Sequence, residues 1–165
     1  MSDEYAENPV TELVVPYEYD GLPVKMVGYR LSYEEIGDGL WEDEPYAVAG
    51  ETFEKGKSVL TKIILPDSVI QTSDSLFSDC SKLKEVRFSK NDTFRFATFF
   101  GCSALERIDI PEKQTSIGHD CFCGCSSLKE LRVPDNVTSI GEYAFIGAGA
   151  VVIEDIPPYA MVVGN

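Results

Sequence analysis

The sequence predicts a solenoid, a stack of short coils that share one hydrophobic core. Three observations predict it. Four consecutive segments of 23, 22, 23 and 23 residues align on a leucine. The first six residues of each segment alternate apolar and polar, as a short strand with one buried face does. Phenylalanine and small residues recur in phase along the four segments. A period of about 20–29 residues is typical of stacked coils, each of which buries its apolar face against its neighbours.

The four segments define the repeats. They are LTKIILPDSVIQTSDSLFSDCSK (first repeat, 60–82), LKEVRFSKNDTFRFATFFGCSA (second, 83–104), LERIDIPEKQTSIGHDCFCGCSS (third, 105–127) and LKELRVPDNVTSIGEYAFIGAGA (fourth, 128–150). A proline after the strand turns the chain, and a glycine after a second apolar residue permits a corner. One phenylalanine then fills the core of each coil. We therefore expect a single row of rings formed by Phe77, Phe100 (or Phe99), Phe122 and Phe145.

Both ends of the repeat array are expected to depart from the pattern. Residues 1–58 are interpreted as a divergent first coil that opens at 13–28, resumes at Phe53 and carries an acidic, aromatic insertion at about 29–52. The four repeats fill 59–150, and 151–165 form a partial terminal coil that acts as a cap. The prediction is thus one domain of about five coils. The open end of a solenoid exposes strand edges, so it must be covered by the tail or pair with a second chain in a homo-oligomer.

The stretch HDCFCGC (119–125) raises the question of a metal or redox centre. Cys80, Cys102 and Cys125 occupy one position of the repeat, which predicts a buried ladder of thiols. Cys121 takes the position of Ala144, and Cys123 that of Ser78. Alternating cysteines do not fit the usual zinc spacing.

We therefore predict neither a metal nor a cofactor. His119 is expected to be a surface residue at a corner. No catalytic motif stands out elsewhere, so no catalytic residue and no enzymatic activity are predicted.

The charge is strongly acidic and unevenly placed. The net charge is −14, and residues 1–58 hold 14 acidic but only 4 basic side chains. This balance argues against nucleic acid and anionic membranes as direct partners and favours a protein with a basic patch. No apolar run is long enough to span a bilayer, so membrane insertion is not expected.

The insertion is the main candidate for a partner-binding site. Residues 31–54 contain eight acids and no Lys or Arg, together with several aromatic residues. Aromatics among acids suit the recognition of a basic partner. The candidate partner-binding residues are Tyr33, Trp41, Glu42, Asp43, Glu44 and Tyr46. The alternative is an N-terminal cap, in which Trp41 and Tyr46 fold over the first coil and the acids face water.

The outward positions of the strands form columns in which charge alternates in sign. One column is Thr61, Lys84, Glu106 and Lys129, the next is Lys62, Glu85, Arg107 and Glu130, and the third is Ile64, Arg87, Asp109 and Arg132. Either this face binds a partner, or its charges pair with one another and set the stacking register. The alternation favours the structural interpretation of one continuous, self-paired sheet.

The segments IPEKQTSIGHDCFCGCSSLKEL and VPDNVTSIGEYAF resemble the BspA-like subclass of leucine-rich repeats. The resemblance implies a leucine-rich repeat fold without shared catalytic residues. Members of this family are mostly secreted or surface-attached proteins of bacteria, and several are adhesins, so the resemblance implies a similar role here. We therefore predict a non-enzymatic protein-binding module for adhesion or for recognition of host or matrix proteins. The resemblance implies that the protein is secreted or located at the cell surface. The acidic start MSDEYAENP is unlike a signal peptide, so the expected location is the cytoplasm if Met1 is the native start.

Two other functions remain open. The tail IGEYAFIGAGAVVIEDIPPYAMVVGN (140–165) resembles the last coils of hexapeptide-repeat acyltransferases, which would imply an acyltransferase-derived protein. The match lacks the earlier coils in which that family keeps its catalytic histidine. The stronger alternative is a small acidic intracellular inhibitor, or nucleic-acid mimic, that occupies a basic protein surface.

Overall fold

The computed structural model describes residues 11–28, 46–48, 56–91, 93–145, 147–149 and 151–152. One short 3₁₀ helix, Lys57–Val59, precedes the first repeat. The strands are β1 (Glu12–Val14), β2 (Glu18–Tyr19), β3 (Leu22–Pro23), β4 (Met26–Gly28), β5 (Tyr46–Val48), β6 (Lys62–Ile64), β7 (Gln71–Thr72), β8 (Glu85–Arg87), β9 (Ser116–Ile117), β10 (Glu130–Leu131), β11 (Ser139–Ile140) and β12 (Val151–Val152).

The first wall of the solenoid is built from the opening strand of each coil, and we call it the strand wall. It contains a parallel sheet in the order β1-β6-β8 and a parallel pair formed by β10 and β12. Leu13 lies opposite Ile63, which lies opposite Val86, so the central residue of each strand faces the core. The wall therefore has the alternation that the sequence predicts, in strands of two or three residues rather than six.

A second set of short parallel strands follows the first turn of each coil. Its members pair in the order β5-β4-β7 at the N-terminal end and as β9 with β11 further along. β4 stacks on β7 just as β1 stacks on β6. β2 and β3 form an antiparallel hairpin between these two walls. The N-terminal segment 11–28 therefore contacts the first repeat on both walls, as a preceding coil would.

The third wall contains no strands within the described residues, yet it has the most regular hydrogen bonding. We call it the turn wall and define it as residues 74–80, 96–102, 119–125 and 142–145. Between the second and third repeats, Ala97 N donates to His119 O (2.8 Å), Phe99 N to Cys121 O (2.9 Å) and Gly101 N to Cys123 O (2.8 Å). The first repeat bonds to the second in the same three places. Each coil is therefore fixed to the next by backbone hydrogen bonds.

A row of phenylalanine rings runs along the core beneath the turn wall. Phe77, Phe99, Phe122 and Phe145 stack in succession, with centroids 5.8, 5.7 and 5.4 Å apart. The prediction of a single row is confirmed, and its open choice is decided in favour of Phe99. Phe99 is fully buried, whereas Phe100 is 39% exposed. Each stacked pair at this spacing stabilises the fold by about 0.5–1.5 kcal/mol beyond the free energy gained from burying the surface area of the rings.

The glycine that follows the second apolar residue is required by close packing. A Cβ at Gly118 would lie 2.3 Å from the carbonyl oxygen of Arg95 in the previous coil. The left-handed backbone of the corner occurs two residues later, at Asp120 (φ 56°). The same conformation recurs in every repeat, at Ser75, Ala97, Asp120 and Tyr143.

The prediction of one continuous sheet on the strand wall is wrong. Among the described strands β8 pairs with β6 alone, and the equivalent segment of the third repeat, 107–109, forms no strand. In that segment Arg107 makes an isolated β-bridge, and Lys129 N of the fourth repeat donates to Glu106 O at 3.2 Å. The strand wall is thus interrupted at the third repeat, which follows the 22-residue repeat.

The irregular composition of the second repeat offers a physical reason for the break. Phe88 and Phe94 lie where the third repeat has Ile110 and Ile117, and their rings are 4.6 Å apart. Two large rings in a coil that is one residue short need room that aliphatic side chains do not. The buried Gln114 compensates in part, because its Oε1 accepts from Phe94 N at 2.8 Å and its Nε2 donates to Phe94 O at 3.2 Å.

Candidate functional site

The break in the strand wall opens a hollow on the outward face of the solenoid. Its volume is about 600 Å³. We call it the strand-wall hollow, and it is lined by Lys84, Glu85, Val86, Arg87, Glu106, Arg107, Ile108 and Asp109. The residues come from two consecutive repeats, so the separation of the coils creates the space.

The charges around the hollow are only partly neutralised. On either side of it the predicted ion pairs form, with Lys62 Nζ 3.1 Å from Glu85 Oε1 and Lys129 Nζ 2.8 Å from Glu106 Oε2. The hydrogen bond and charge of Lys129 hold the pKa of the Glu106 carboxyl below its ordinary value. Across the hollow, no ion pair joins the described side chains of the second and third repeats. The self-paired charge pattern predicted for this wall therefore holds on both sides of the hollow and fails within it.

The hollow presents charged groups of both signs. Arg87 and Arg107 offer guanidinium groups, and Asp109 offers a carboxylate, all on exposed side chains. Beyond β8 no further strand is paired within the described residues of this sheet. Unpaired strand edges are templates for the addition of a further strand, with main-chain hydrogen bonds supplying affinity and side chains supplying specificity.

The residues predicted from the insertion fall largely beyond what the structure shows. Tyr33, Trp41, Glu42, Asp43 and Glu44 lie outside the described residues. Tyr46 begins β5, whose backbone pairs in parallel with β4 on the side away from β7. The end of the insertion therefore adds a strand to the first coil. The partner-binding role of all six residues stays a prediction.

The cysteines are core residues, as the repeat predicts. Cys80, Cys102, Cys121 and Cys125 are fully buried, and Cys123 is partly exposed. Cys102 Sγ donates to Phe77 O, and Cys125 Sγ donates to Phe99 O, each at 3.2 Å. Burial raises the thiol pKa of Cys102 and of Cys121, and it raises that of Cys125 to about 12. No group of three or more His, Cys, Asp or Glu within the described part of the chain is placed to hold a metal ion.

His119 lies at the surface with an aromatic neighbour on each side, a feature that the sequence analysis missed. Its ring centroid is 5.7 Å from that of Phe96 and 5.3 Å from that of Tyr143. Its Nδ1 is 2.7 Å from Asp120 Oδ2, and its Nε2 is 3.8 Å from Glu142 Oε2. The period of the repeat could have predicted this contact, because Phe96 and His119 occupy equivalent positions 23 residues apart.

The described residues include no helix with the length and apolar character needed to cross a membrane.

The fold and its surfaces define a repeat protein of the leucine-rich class, in which parallel strands form one wall of a solenoid. Residues 45–154 match the BspA type leucine rich repeat region in six copies. The chain belongs to this family. Leucine-rich repeat families are in general protein-interaction modules without enzymatic activity, and none of the comparisons indicates an enzymatic family. The predicted likeness of the tail to hexapeptide acyltransferases is not shown by them.

Solved structures from three bacteria are similar. The leucine rich repeat protein of T. pallidum has a TM-score of 0.64 at 26% identity over 84% of this chain and 55% of its own. A leucine rich cell surface protein from Faecalibacterium prausnitzii A2-165 has a TM-score of 0.64 at 24% identity, over 88% of this chain and 32% of its own. A leucine-rich repeat protein from Bacteroides ovatus ATCC 8483 has a TM-score of 0.56 at 29% identity, over 78% and 33%. The chain therefore spans between a third and about half of these proteins. No curated protein matches it.

Proposed function

We propose that this protein is a recognition module that binds a segment of another protein at the strand-wall hollow, in the setting of adhesion or of host or matrix recognition at the cell surface. The observation that carries the proposal is the hollow itself. It lies between the ion pairs Lys62–Glu85 and Lys129–Glu106, and its lining includes the exposed side chains of Lys84, Arg87, Arg107 and Asp109. A solenoid that served only as a spacer would gain stability from closing this gap.

The chemistry of the hollow favours a partner segment that carries both signs of charge. Its lining holds three cationic and three anionic side chains around Val86 and Ile108. Partly desolvated charge pairs add specificity more than affinity.

The acidic insertion would act as a second contact. Its proposed role is to attract a basic patch on the same partner through Glu42, Asp43 and Glu44, with Tyr33, Trp41 and Tyr46 as apolar anchors. The net charge of −14 supports long-range attraction of this kind, which raises association rates and weakens with salt. Secretion or surface attachment is proposed from family membership. Homo-oligomerisation through an end of the solenoid is proposed because a terminal coil exposes strand edges unless a further segment covers them.

The test compares variants that keep the net charge. Arg107→Ser with Asp109→Ser empties the hollow of one cation and one anion, and Glu112→Ser with Lys113→Ser makes the same change in an exposed turn outside it. Immobilised protein is incubated with host matrix proteins such as fibronectin, collagen and laminin, and bound protein is measured by biolayer interferometry. We expect the hollow variant to lose at least about fivefold in affinity for the protein that is bound and the turn variant to lose less than twofold.

Equal affinity of the two variants would contradict the hollow as the binding site. A third variant, Glu42→Gln with Asp43→Asn and Glu44→Gln, tests the insertion separately. We expect it to slow association at low salt and to have little effect at about 500 mM NaCl, because exposed charges are screened there.

A further inference from the structure

A second exposed surface lies on the turn wall and comes from three consecutive repeats. Phe96 of the second repeat, His119 of the third and Tyr143 of the fourth form a continuous row of rings, which we call the aromatic cluster. Phe96 is 48% exposed and Tyr143 is 55% exposed. Large apolar groups that are exposed side by side are typical of interaction sites, whereas single ones are ordinary.

The fold does not require these rings. The position of Phe96 and His119 is occupied by Asp74 in the first repeat and by Glu142 in the fourth, so the wall stacks equally well with carboxylates there. Tyr143 has a left-handed backbone with φ 59°, at a position where the other repeats have Ser75, Ala97 and Asp120. A bulky side chain in this conformation costs roughly 1–2 kcal/mol. The tyrosine is therefore present at the expense of stability.

Two carboxylates lie beside the histidine ring of the cluster. Asp120 contacts Nδ1 of His119 at 2.7 Å, and Glu142, whose side chain is 80% exposed, lies 3.8 Å from Nε2. Arg95, which precedes Phe96 in the chain, is paired with Asp74 at 2.8 Å. A cation placed on a ring beside a carboxylate is attracted in two ways: the ring face offers a cation–π interaction, and the carboxylate offers a charge-assisted hydrogen bond.

We propose that the aromatic cluster binds an arginine-bearing segment of a protein partner. A guanidinium group is planar, so it stacks on Phe96 or Tyr143 while its N–H groups reach Asp120 or Glu142. A lysine ammonium makes a point contact only and holds its water more strongly. The net charge of −14 complements such a segment as a whole. This surface is on a different wall from the strand-wall hollow and does not depend on it.

The probe is a fluorescein-labelled nonapeptide that alternates arginine and glycine, with the lysine–glycine peptide of equal charge as its counterpart. Fluorescence anisotropy gives Kd at about 150 mM NaCl, where diffuse attraction is largely screened. The wild-type protein is expected to bind the arginine peptide at least about threefold more tightly than the lysine peptide.

The key variant is Phe96→Ser with Tyr143→Asn, which removes both rings without changing the net charge. We expect its Kd for the arginine peptide to rise about five- to tenfold. The matched control is Tyr17→Asn with Ile70→Ser, which removes two side chains of similar exposure (61% and 54%) from the N-terminal end. The control is expected to change Kd less than twofold.

Stability separates a binding defect from a folding defect. Asparagine tolerates the left-handed backbone, so Tyr143→Asn alone is expected to raise Tm while it weakens peptide binding. A purely structural role of the ring would make both quantities move together. Equal Kd values for the ring variant and the control, or equal affinity for the two peptides, would overturn the proposal. The hollow variant, Arg107→Ser with Asp109→Ser, is expected to bind the arginine peptide like the wild type, so this test and that of the proposed function fail independently.

Discussion

The turn wall and the strand wall differ in how they join the second repeat to the third. Between the second and third repeats, the turn wall has three backbone hydrogen bonds of 2.8–2.9 Å. On the strand wall, the same two repeats are separated by a hollow of about 600 Å³. The stack is therefore held together at this junction by the wall that contains no strands among the described residues.

The difference shows which part of the repeat carries the stack. The phenylalanine row and the buried thiols lie against the turn wall, and the thiols donate to carbonyl oxygens of the preceding coil. Because this wall is continuous, a strand can be displaced at one junction without loss of the fold. The strand wall is then free to take a shape that suits a partner. Four substitutions or conditions test this division, and we take them from the largest expected effect to the smallest.

Removal of one ring from the core row has the largest expected effect. Phe99 stacks between Phe77 and Phe122 and is fully buried. Phe99→Ala is expected to lower the free energy of unfolding by about 3–5 kcal/mol, because it deletes a buried ring and leaves a cavity. Urea unfolding followed by circular dichroism measures it. The adjacent Phe100→Ala is the control, with an expected change below about 0.5 kcal/mol. Similar losses for both would show that the row does not carry the stack.

Loss of the buried amide of Gln114 comes next. The side chain satisfies both the N–H and the C=O of Phe94 in the short repeat. Gln114→Val fills the position as Val137 does one repeat later, but leaves both backbone groups without this partner. We expect destabilisation of about 1–3 kcal/mol. The exposed Thr115→Ala serves as the comparison in the same urea experiment. A neutral or stabilising Gln114→Val would mean that the second repeat needs no such support.

Alkaline pH tests the burial of the thiols. The neutral, protonated thiol is the form that the core accepts, and burial raises the pKa of Cys125 from 9.0 to about 12. The protonated Cys125 thiol therefore contributes fully to the free energy of unfolding below about pH 9. This contribution is lost as the pH rises towards the folded-state pKa. At about pH 10 the expected loss is about 1.4 kcal/mol for this one thiol.

The measurement is urea unfolding at about pH 8 and pH 10 for the wild type and for Cys125→Ala. The wild type is expected to lose more stability over this interval than the variant does, by the amount stated above. All other side chains are the same in both proteins, so their contributions to the pH dependence cancel in the difference. An identical pH dependence in the two proteins would show that Cys125 is accessible to water.

The smallest expected effect is a gain. Thr72 is fully buried. Its Oγ1 is the one buried side-chain nitrogen or oxygen in the described part of the chain that has no hydrogen-bond partner. It lies at the position of Ile117 and Ile140. Thr72→Val is expected to raise the free energy of unfolding by about 1 kcal/mol, because a buried, unpaired hydroxyl is removed at constant shape. Thr138→Val, which removes an exposed hydroxyl bonded to Thr115 O at 3.2 Å, is expected to give no gain.

The repeat pattern predicted the solenoid, the ring row and the thiol ladder, because each of these depends on what recurs at a fixed spacing. It left Phe99 and Phe100 undecided, because the second repeat is one residue short and the deletion can be placed on either side. The break beside β8 was not predictable from alternating charge. It depends on the combined volume of Phe88 and Phe94, and a binary pattern of apolar and polar residues does not contain volume.

The surfaces were predicted less well than the core. The sequence marks Asp120 and Tyr143 as equivalent positions, but their shared left-handed backbone is visible only in the structure. The candidate residues of the insertion, from Tyr33 to Tyr46, have no repeat partner to place them. Their composition predicts a type of partner without a geometry. Exposure at Phe96 likewise depends on which side of a turn it occupies, and spacing alone does not decide this.

Hydrogen–deuterium exchange, read at single amides by NMR, tests the central claim most directly. The claim is that the strand wall is open at the hollow, whereas the turn wall is closed at the same junction. We predict that the amides of Ile108 and Asp109 exchange at least about tenfold faster than those of Phe99 and Gly101, which donate across the turn wall at 2.9 and 2.8 Å. Equal protection of the two sets would contradict the account, because it would show that the strands pair in solution and that no hollow is available to a partner.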